Sequence, residues 1–338
     1  MARTFPDATK VELGHYEMSA HLLALEVIRR GYEVTWISHA YFVTEVAGTT
    51  IGFWSTRSNL VSSVAAKTST RKDMTSRLLA AHGIAVSRFR TVSATNPKRG
   101  AVLARRVGYP LVVKPVSGMK GRGVTVDIRS SRQLKAAWEA AVTAGARRLM
   151  LERYFPGQEA RFLLVGDRSV AAVGKIAPHV VGDGRSTILA LVEAKNRERE
   201  GNPHLRNRLI VLSPYRLQRL RTLGFGPDTV LPEGERVILD PKASISEGAD
   251  SVDLTDEVHP SYHEVVGSIS AAFPGLGLAG VDLLAEDLRA PATPDNHVIC
   301  EVNSMPGLGA HHFPAAGQSR DVASAIIDHA FAEAQRRG

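Results

Sequence analysis

The chain has 338 residues, which exceeds the size at which one hydrophobic core usually stays undivided, so two or three subdomains are expected. Apolar residues make up 44%, as in ordinary globular proteins, and no apolar run approaches the ~20 residues that a membrane-spanning helix needs. Forty-two Lys and Arg against 34 Asp and Glu leave a dispersed charge of +8, and its densest clusters, Arg197 to Arg208 and Arg216 to Arg221, lack the interleaved aromatics of a single-strand nucleic-acid platform. Neither a membrane nor nucleic acid is therefore expected as a partner. The opening MARTFPDATKVELGH carries no apolar stretch of a secretory signal, and the single Cys300 cannot form an internal disulfide, so the expected setting is soluble and cytoplasmic.

Ala20, Leu23, Ala24, Val27 and Ile28 follow the spacing of one helix face, and Gly31 offers a left-handed stop. Strands are predicted at about 33–37, 41–46 and 50–54, so the opening reads as a small α/β domain. The Ser-, Thr- and Asn-rich stretch 55–69 is the expected linker, followed by a helix over 72–82 that Gly83 stops. LVVKPV and VTVDI, separated by SGMKGRG, form a predicted hairpin before a helix over 131–144. Strand-rich runs resume at LMLERYF, with helices predicted over 188–200, 259–273 and 321–337. The order is α+β, without regular βαβ alternation. The predicted domains are 1–68, 69–150 and 151–338.

Gly118, Gly121 and Gly123 fit neither the dinucleotide fingerprint nor the Walker loop, and the element after them is a strand, so no helix start receives a phosphate. What is left is a hairpin tip whose amides, with Lys120 and Arg122, can close over phosphates; an ordinary Gly-rich turn is the competing reading. Lys114 stands inside an apolar strand and needs a partner to offset its desolvation, a need that a phosphate would meet unless the strand is half exposed. Arg71 and Lys72 oppose the macrodipole in a helix's first turn, a conflict that a shared anion removes.

The acidic residues carry the strongest signal. Asp282 sits among apolar neighbours in AGVDLLA. In HVICEVNSMPG a period of two sets Glu301 and Asn303 on one face with Cys300 and Val302 opposite, Cys300 being read as core. Three hard oxygen ligands on adjacent strands suit octahedral magnesium that also holds substrate phosphates. Glu152 and Glu159 flank the Pro156-Gly157 turn, a hinge suited to an adenine edge and ribose hydroxyls unless both are surface glutamates. No Gly-x-Ser-x-Gly elbow, His-Glu-x-x-His helix or Cys pair occurs, and the adjacent His311 and His312 point apart on any regular element, which favours loop or substrate-pocket roles over a metal.

VVKPVSGMKGRGV, LERYFPGQEAR, VGDGRST, GVDLL and CEVNSMPG, in this order over roughly 70–312, resemble the ATP-grasp superfamily, and within it the module shared by cyanophycin synthetases and bifunctional glutathione synthetases. The resemblance implies an α+β fold in which a small N-terminal α/β domain precedes two α+β subdomains that clasp ATP between antiparallel sheets. It implies that Lys72 and Lys114 bind ATP phosphates and that the loop Gly118 to Gly123, with Lys120, folds over them. Glu152 would lie at the adenine hinge, Glu159 on the ribose, and Asp282, Glu301 and Asn303 on magnesium, usually two ions, with Mn2+ as the alternative.

The implied activity joins a carboxylate, activated as an acyl phosphate by ATP, to an amine, giving a dipeptide or γ-glutamyl-type amide from two amino acids. Lys242, Lys175 and Arg161 are the candidate cations for the tetrahedral intermediate. In the same relatives, stretches like Gly182 to Thr187 and Leu239 to Pro260 approach the amino acids, but here Ser244 to Ala249 reads SISEGA where the cyanophycin-type module tends to Asn-Leu-Ser-Thr-Gly-Gly. The competing functions are a non-amine acceptor and a non-catalytic nucleotide-binding regulatory protein. Relatives commonly form dimers or tetramers, which leaves a homo-oligomer as an option.

Overall fold

The structure is a computed structural model that describes residues 16–118 and 121–337. It opens with α1 (Met18–Arg29), β1 (Thr35–Ser38), β2 (Tyr41–Val46) and β3 (Thr49–Trp54). There follow β4 (Arg57–Ser58), α2 (Ser63–Ser69), α3 (Lys72–Ala81), β5 (Phe89–Ser93), α4 (Pro97–Val107), β6 (Leu111–Pro115), β7 (Thr125–Ile128), α5 (Ser131–Thr143), β8 (Arg148–Arg153) and β9 (Gln158–Val165). Next come β10 (Arg168–Ile176), β11 (His179–Val181), α6 (Ile188–Glu200), α7 (Pro214–Thr222), β12 (Arg236–Ile238) and β13 (Asp250–Asp253). The remainder holds α8 (Pro260–Ala272), β14 (Leu278–Ala285), β15 (His297–Asn303), the single turn α9 (Gly309–His312) and α10 (Val322–Arg337). The mixture of helices with antiparallel sheets is the α+β class expected.

Two compact units are assembled from interleaved stretches. The first takes the described residues up to Thr56, Ala171–Thr255 and Gly307–Asp328; the second takes Arg57–Val170, Asp256–Pro306 and the described residues from His329. Within the first, β1, β2 and β3 form an antiparallel meander, and a separate core of Val180, Ile188, Val192, Ile210, Leu220, Leu231, Val237 and Leu239 lies around β11, β12, α6 and α7. A buried ion cluster fastens α6 to β13: Lys195 and Arg199 both reach Asp250, at 2.6 and 2.5 Å.

The second unit holds two sheets, β5-β8-β6-β7 and the β9-β14-β15 ladder. In the first of these, alternation sorts side chains by face. Leu111, Val113, Leu149 and Leu151 join the core under α4 and α5, which leaves Val112, Lys114, Met150 and Glu152 on the other face. Gly100 of α4 admits the Trp138 ring so closely that an added Cβ would lie 2.2 Å from it, and Trp138 Nε1 donates to the Ala94 carbonyl at 3.0 Å.

The stretch predicted as a linker contains α2, capped by Ser62. Besides the single turn α9, two further helices, α4 and α7, were not predicted. Both carry the N-cap and Pro signature: Asn96 accepts from Arg99 N ahead of Pro97, and Ser213 accepts from Arg216 N ahead of Pro214.

In the first unit His312 is 3% exposed and its Nε2 accepts from Ala323 N, while burial lowers its pKa to about 4. His204 is lowered to about 3 by burial and then by Arg208 and Arg199. Both rings stay neutral in the fold but take up protons below about pH 6.5 when unfolded. Unfolding then binds protons, so stability is complete above pH 6.5 and falls as the pH drops toward 4, by about 1.4 kcal/mol per unit for each ring. Urea titrations at pH 7 and pH 5 should show the lower midpoint at pH 5; equal midpoints would exclude neutral buried rings.

Candidate functional site

The second unit brings together most of the residues singled out in the sequence. Lys114 on β6 is opposite Met150, and Glu152 on β8 is opposite Val112, so Lys114 and Glu152 are diagonal neighbours on one face. Their Nζ and Oε2 are 2.6 Å apart, and the two side chains are only 8% and 7% exposed. Burial works against the Lys114 charge, but Glu152, aided by Glu301, outweighs it and raises its pKa. The sequence showed that Lys114 needs a partner; the structure supplies one from within the chain, and Glu152 is buried where a surface glutamate was the alternative.

The acidic strands form a row across three ladders. Arg161 on β9 pairs in register with Asp282 on β14, and Asp282 pairs in register with Glu301 on β15. Arg161 Nε and Nη2 donate to the two Asp282 oxygens at 2.7 Å each, a bidentate fork. That carboxylate, with Glu301 and Glu159 beyond it, holds the guanidinium firmly in its charged form. Two residues after Glu301, the Asn303 amide oxygen accepts from Met305 N at 3.0 Å, and Glu159 is exposed on β9 opposite Leu284.

The strand register corrects one expectation. Between Asp282 and Leu283 the partner residue jumps from Glu301 to Ile299, which leaves Cys300 as the extra residue of a β-bulge. Period-two alternation therefore breaks at Cys300. Its half-buried thiol does not join Val302 in the core; it lies within the field of Lys114, Glu152 and Asp282, and burial pushes its pKa well above the ordinary value.

At the start of α3 the dipole conflict is resolved internally. Arg71 pairs with Asp73 at 3.1 Å, and Lys72 Nζ stands 3.6 Å from Glu301 and donates to the Gly118 carbonyl at 3.1 Å. Gly121 and Gly123 both have φ near +70°, at +67° and +71°. At Gly123 an added Cβ would also meet Ala141 Cα and Pro115 Cγ at 3.2 Å, so this position requires glycine on two counts. Lys120, also assigned to the loop, lies outside the described residues.

Two nominated cations belong to the first unit. Lys175 is half-buried on β10, and Lys242 is exposed and pairs with Glu247 at 3.0 Å. Also there, Asp183 of GDGRST accepts from Arg185 N, Ser186 N and Ser186 Oγ, which lowers its pKa to about 2 and builds the turn before the Thr187 cap of α6.

Among the described residues no three His, Cys, Asp or Glu side chains cluster closely enough to hold a metal unaided. Asp282 and Glu301 are nevertheless directly paired hard oxygen donors on adjacent strands, with Asn303 two residues further along β15. This set fits magnesium that completes its shell with phosphate oxygens and water.

No protein-family model matches the chain. Over 270 residues it is 36% identical to the cyanophycin synthetase of Trichormus variabilis, covering 78% of this chain and 29% of that protein. The glutathione biosynthesis bifunctional protein of Clostridium perfringens is 28% identical over 324 residues, 93% of this chain and 41% of its own length. The crystal structure of a bifunctional glutathione synthetase from Pasteurella multocida superposes with a TM-score of 0.75 at 26% identity, across 94% of this chain and 44% of that one. The chain thus spans less than half the length of each of these relatives. No helix among the described residues is long and apolar enough to cross a membrane.

Proposed function

The chain belongs to the ATP-grasp superfamily, and from that premise we propose that it is an ATP-dependent carboxylate-amine ligase that forms an amide between two amino acids. One observation carries the reading: within one unit, the in-register row Arg161, Asp282, Glu301 lies within electrostatic reach of the buried Lys114–Glu152 pair and of Lys72 at the root of a glycine loop. Cations for phosphates and hard oxygens for a metal are both present, as transfer of a phosphoryl group to a carboxylate requires.

A free carboxylate resists an amine because its leaving group would be oxide; phosphorylation supplies a good one. In this reading Lys114 and Lys72 hold the phosphates, and Glu152, which orients Lys114, borders the adenine. Glu159 takes the ribose. Asp282, Glu301 and Asn303 would hold magnesium, which would supply positive charge to the terminal phosphates. The glycine loop from Gly118 to Gly123 closes to exclude water that would otherwise hydrolyse the acyl phosphate. Arg161, oriented by Asp282, is the cation of this unit proposed for the tetrahedral oxyanion.

The test is an ADP-release screen over pairs of amino acids with ATP and Mg2+, with mass spectrometry of the product. The expected result is ADP formation that requires both an amino-acid carboxylate and an amine, with a product at their summed mass less water. ADP release with water, alcohol or thiol as acceptor, or nucleotide binding with no turnover for any pair, would reject the ligase assignment.

A further inference from the structure

Four charged side chains line up across the strands of the second unit. Arg161 spends both forked nitrogens on Asp282 at 2.7 Å, and Glu301, the next residue in the row, is faced by Lys72 at 3.6 Å. The charges along the row run plus, minus, minus, plus, with Glu159 adding a further negative field at Arg161. The two carboxylates are direct cross-strand neighbours, an arrangement that is destabilising unless cations flank it. Asp282 is also the less accessible of the pair, at 14% side-chain exposure against 37% for Glu301. A divalent ion arriving alone must therefore displace or share a guanidinium fork at a carboxylate with little access to water.

We propose that Arg161 is a resident counter-ion of this donor set, which keeps a divalent cation out until the nucleotide's phosphates arrive. The inference rests on the metal assignment made above and deepens it. Lys72 has somewhere better to go when phosphates enter, which releases Glu301. Arg161 does not leave, because its fork is fixed by the strand register, so Asp282 offers the metal an oxygen whose charge is already half spent. The phosphates restore the missing negative charge. Metal and nucleotide consequently bind as a coupled pair, each raising the other's affinity by the same factor.

Mn2+ binding followed by electron paramagnetic resonance, which needs no turnover, tests this. For the unaltered chain, nucleotide-free Mn2+ affinity should be at least about a hundredfold weaker than that measured with a non-hydrolysable ATP analogue, the upper range of such couplings. Arg161→Gln should raise nucleotide-free Mn2+ affinity by about tenfold or more, the direction that loss of a neighbouring cation dictates. Arg161→Lys, which keeps the charge, should stay near the unaltered chain. Equal Mn2+ affinity with and without the analogue, or no gain in Arg161→Gln, overturns the inference while leaving the metal site standing. If Mn2+ binds under neither condition, the metal assignment itself is overturned and the inference with it. Should Arg161→Gln fail to fold, the unaltered chain measured with and without the analogue still decides.

Discussion

Glu301→Ala should abolish amine-dependent ADP release, with a loss of about a thousandfold or more, while the protein stays folded. The two halves of this expectation come from different properties of the residue. Glu301 is half exposed, and its contact with Lys72 is a 3.6 Å pair near the surface, a kind worth less than about 1 kcal/mol. Removing it costs little stability. For a metal that Glu301 would help to hold, in contrast, loss of a charged oxygen ligand would remove stabilisation that exists only as charge moves to the transferring phosphoryl group. A coupled ADP assay and a thermal melt on the same preparation separate the two. Near-normal turnover with an unchanged melt would contradict the site assignment, as it would for Lys114→Ala.

Glu152→Ala should act in the opposite sense, on stability first. It leaves the Lys114 ammonium in a pocket where the side chain is 8% exposed, without the carboxylate that outweighs its desolvation. Breaking a buried pair from one side typically costs about 3–5 kcal/mol. In a unit of this size that is a fall of roughly 10 °C in the unfolding midpoint. Replacing both partners, Lys114→Met with Glu152→Leu, should recover most of the stability because no buried charge is left, yet activity should stay lost. A double variant as unstable as Glu152→Ala would show that the pair is not the source of the cost.

Much of the second unit was legible because its signals are local. The helix over 131–143, the hairpin from Leu111 to Ile128 and the Gly83 stop all depend on neighbours in sequence, and each was found. The isolation of Lys114, Asp282 and Glu301 among apolar residues was equally visible. Their partners were not, since Glu152 and Arg161 meet Lys114 and Asp282 only through strand pairing that no local pattern encodes. Cys300 shows the limit of periodicity: one bulged residue reverses its face, and nothing in ICEVN announces the bulge. The unpredicted helices at Pro97 and Pro214 differ in kind. Their capping residues and first-turn prolines were readable, and in α4 so was the i, i+3, i+4, i+7 spacing of Gly100, Leu103, Ala104 and Val107.

The braided path of the chain has a consequence for synthesis. Each unit draws on three separate stretches, and the strands flanking Asp282 come from positions more than a hundred residues apart in the case of Arg161 and only nineteen apart in that of Glu301. No single cut yields an intact half. A nascent polypeptide emerging from the ribosome can pair β9 with β10 at once, but the edge of β9 that receives β14 stays open until β14 has been translated, which makes completion of this sheet late and dependent on a distant pairing. Truncation between β9 and β14 should accordingly leave the ladder that carries Asp282 and Glu301 incomplete, whereas the sheet β5-β8-β6-β7 draws its core from the single stretch Val92 to Leu151.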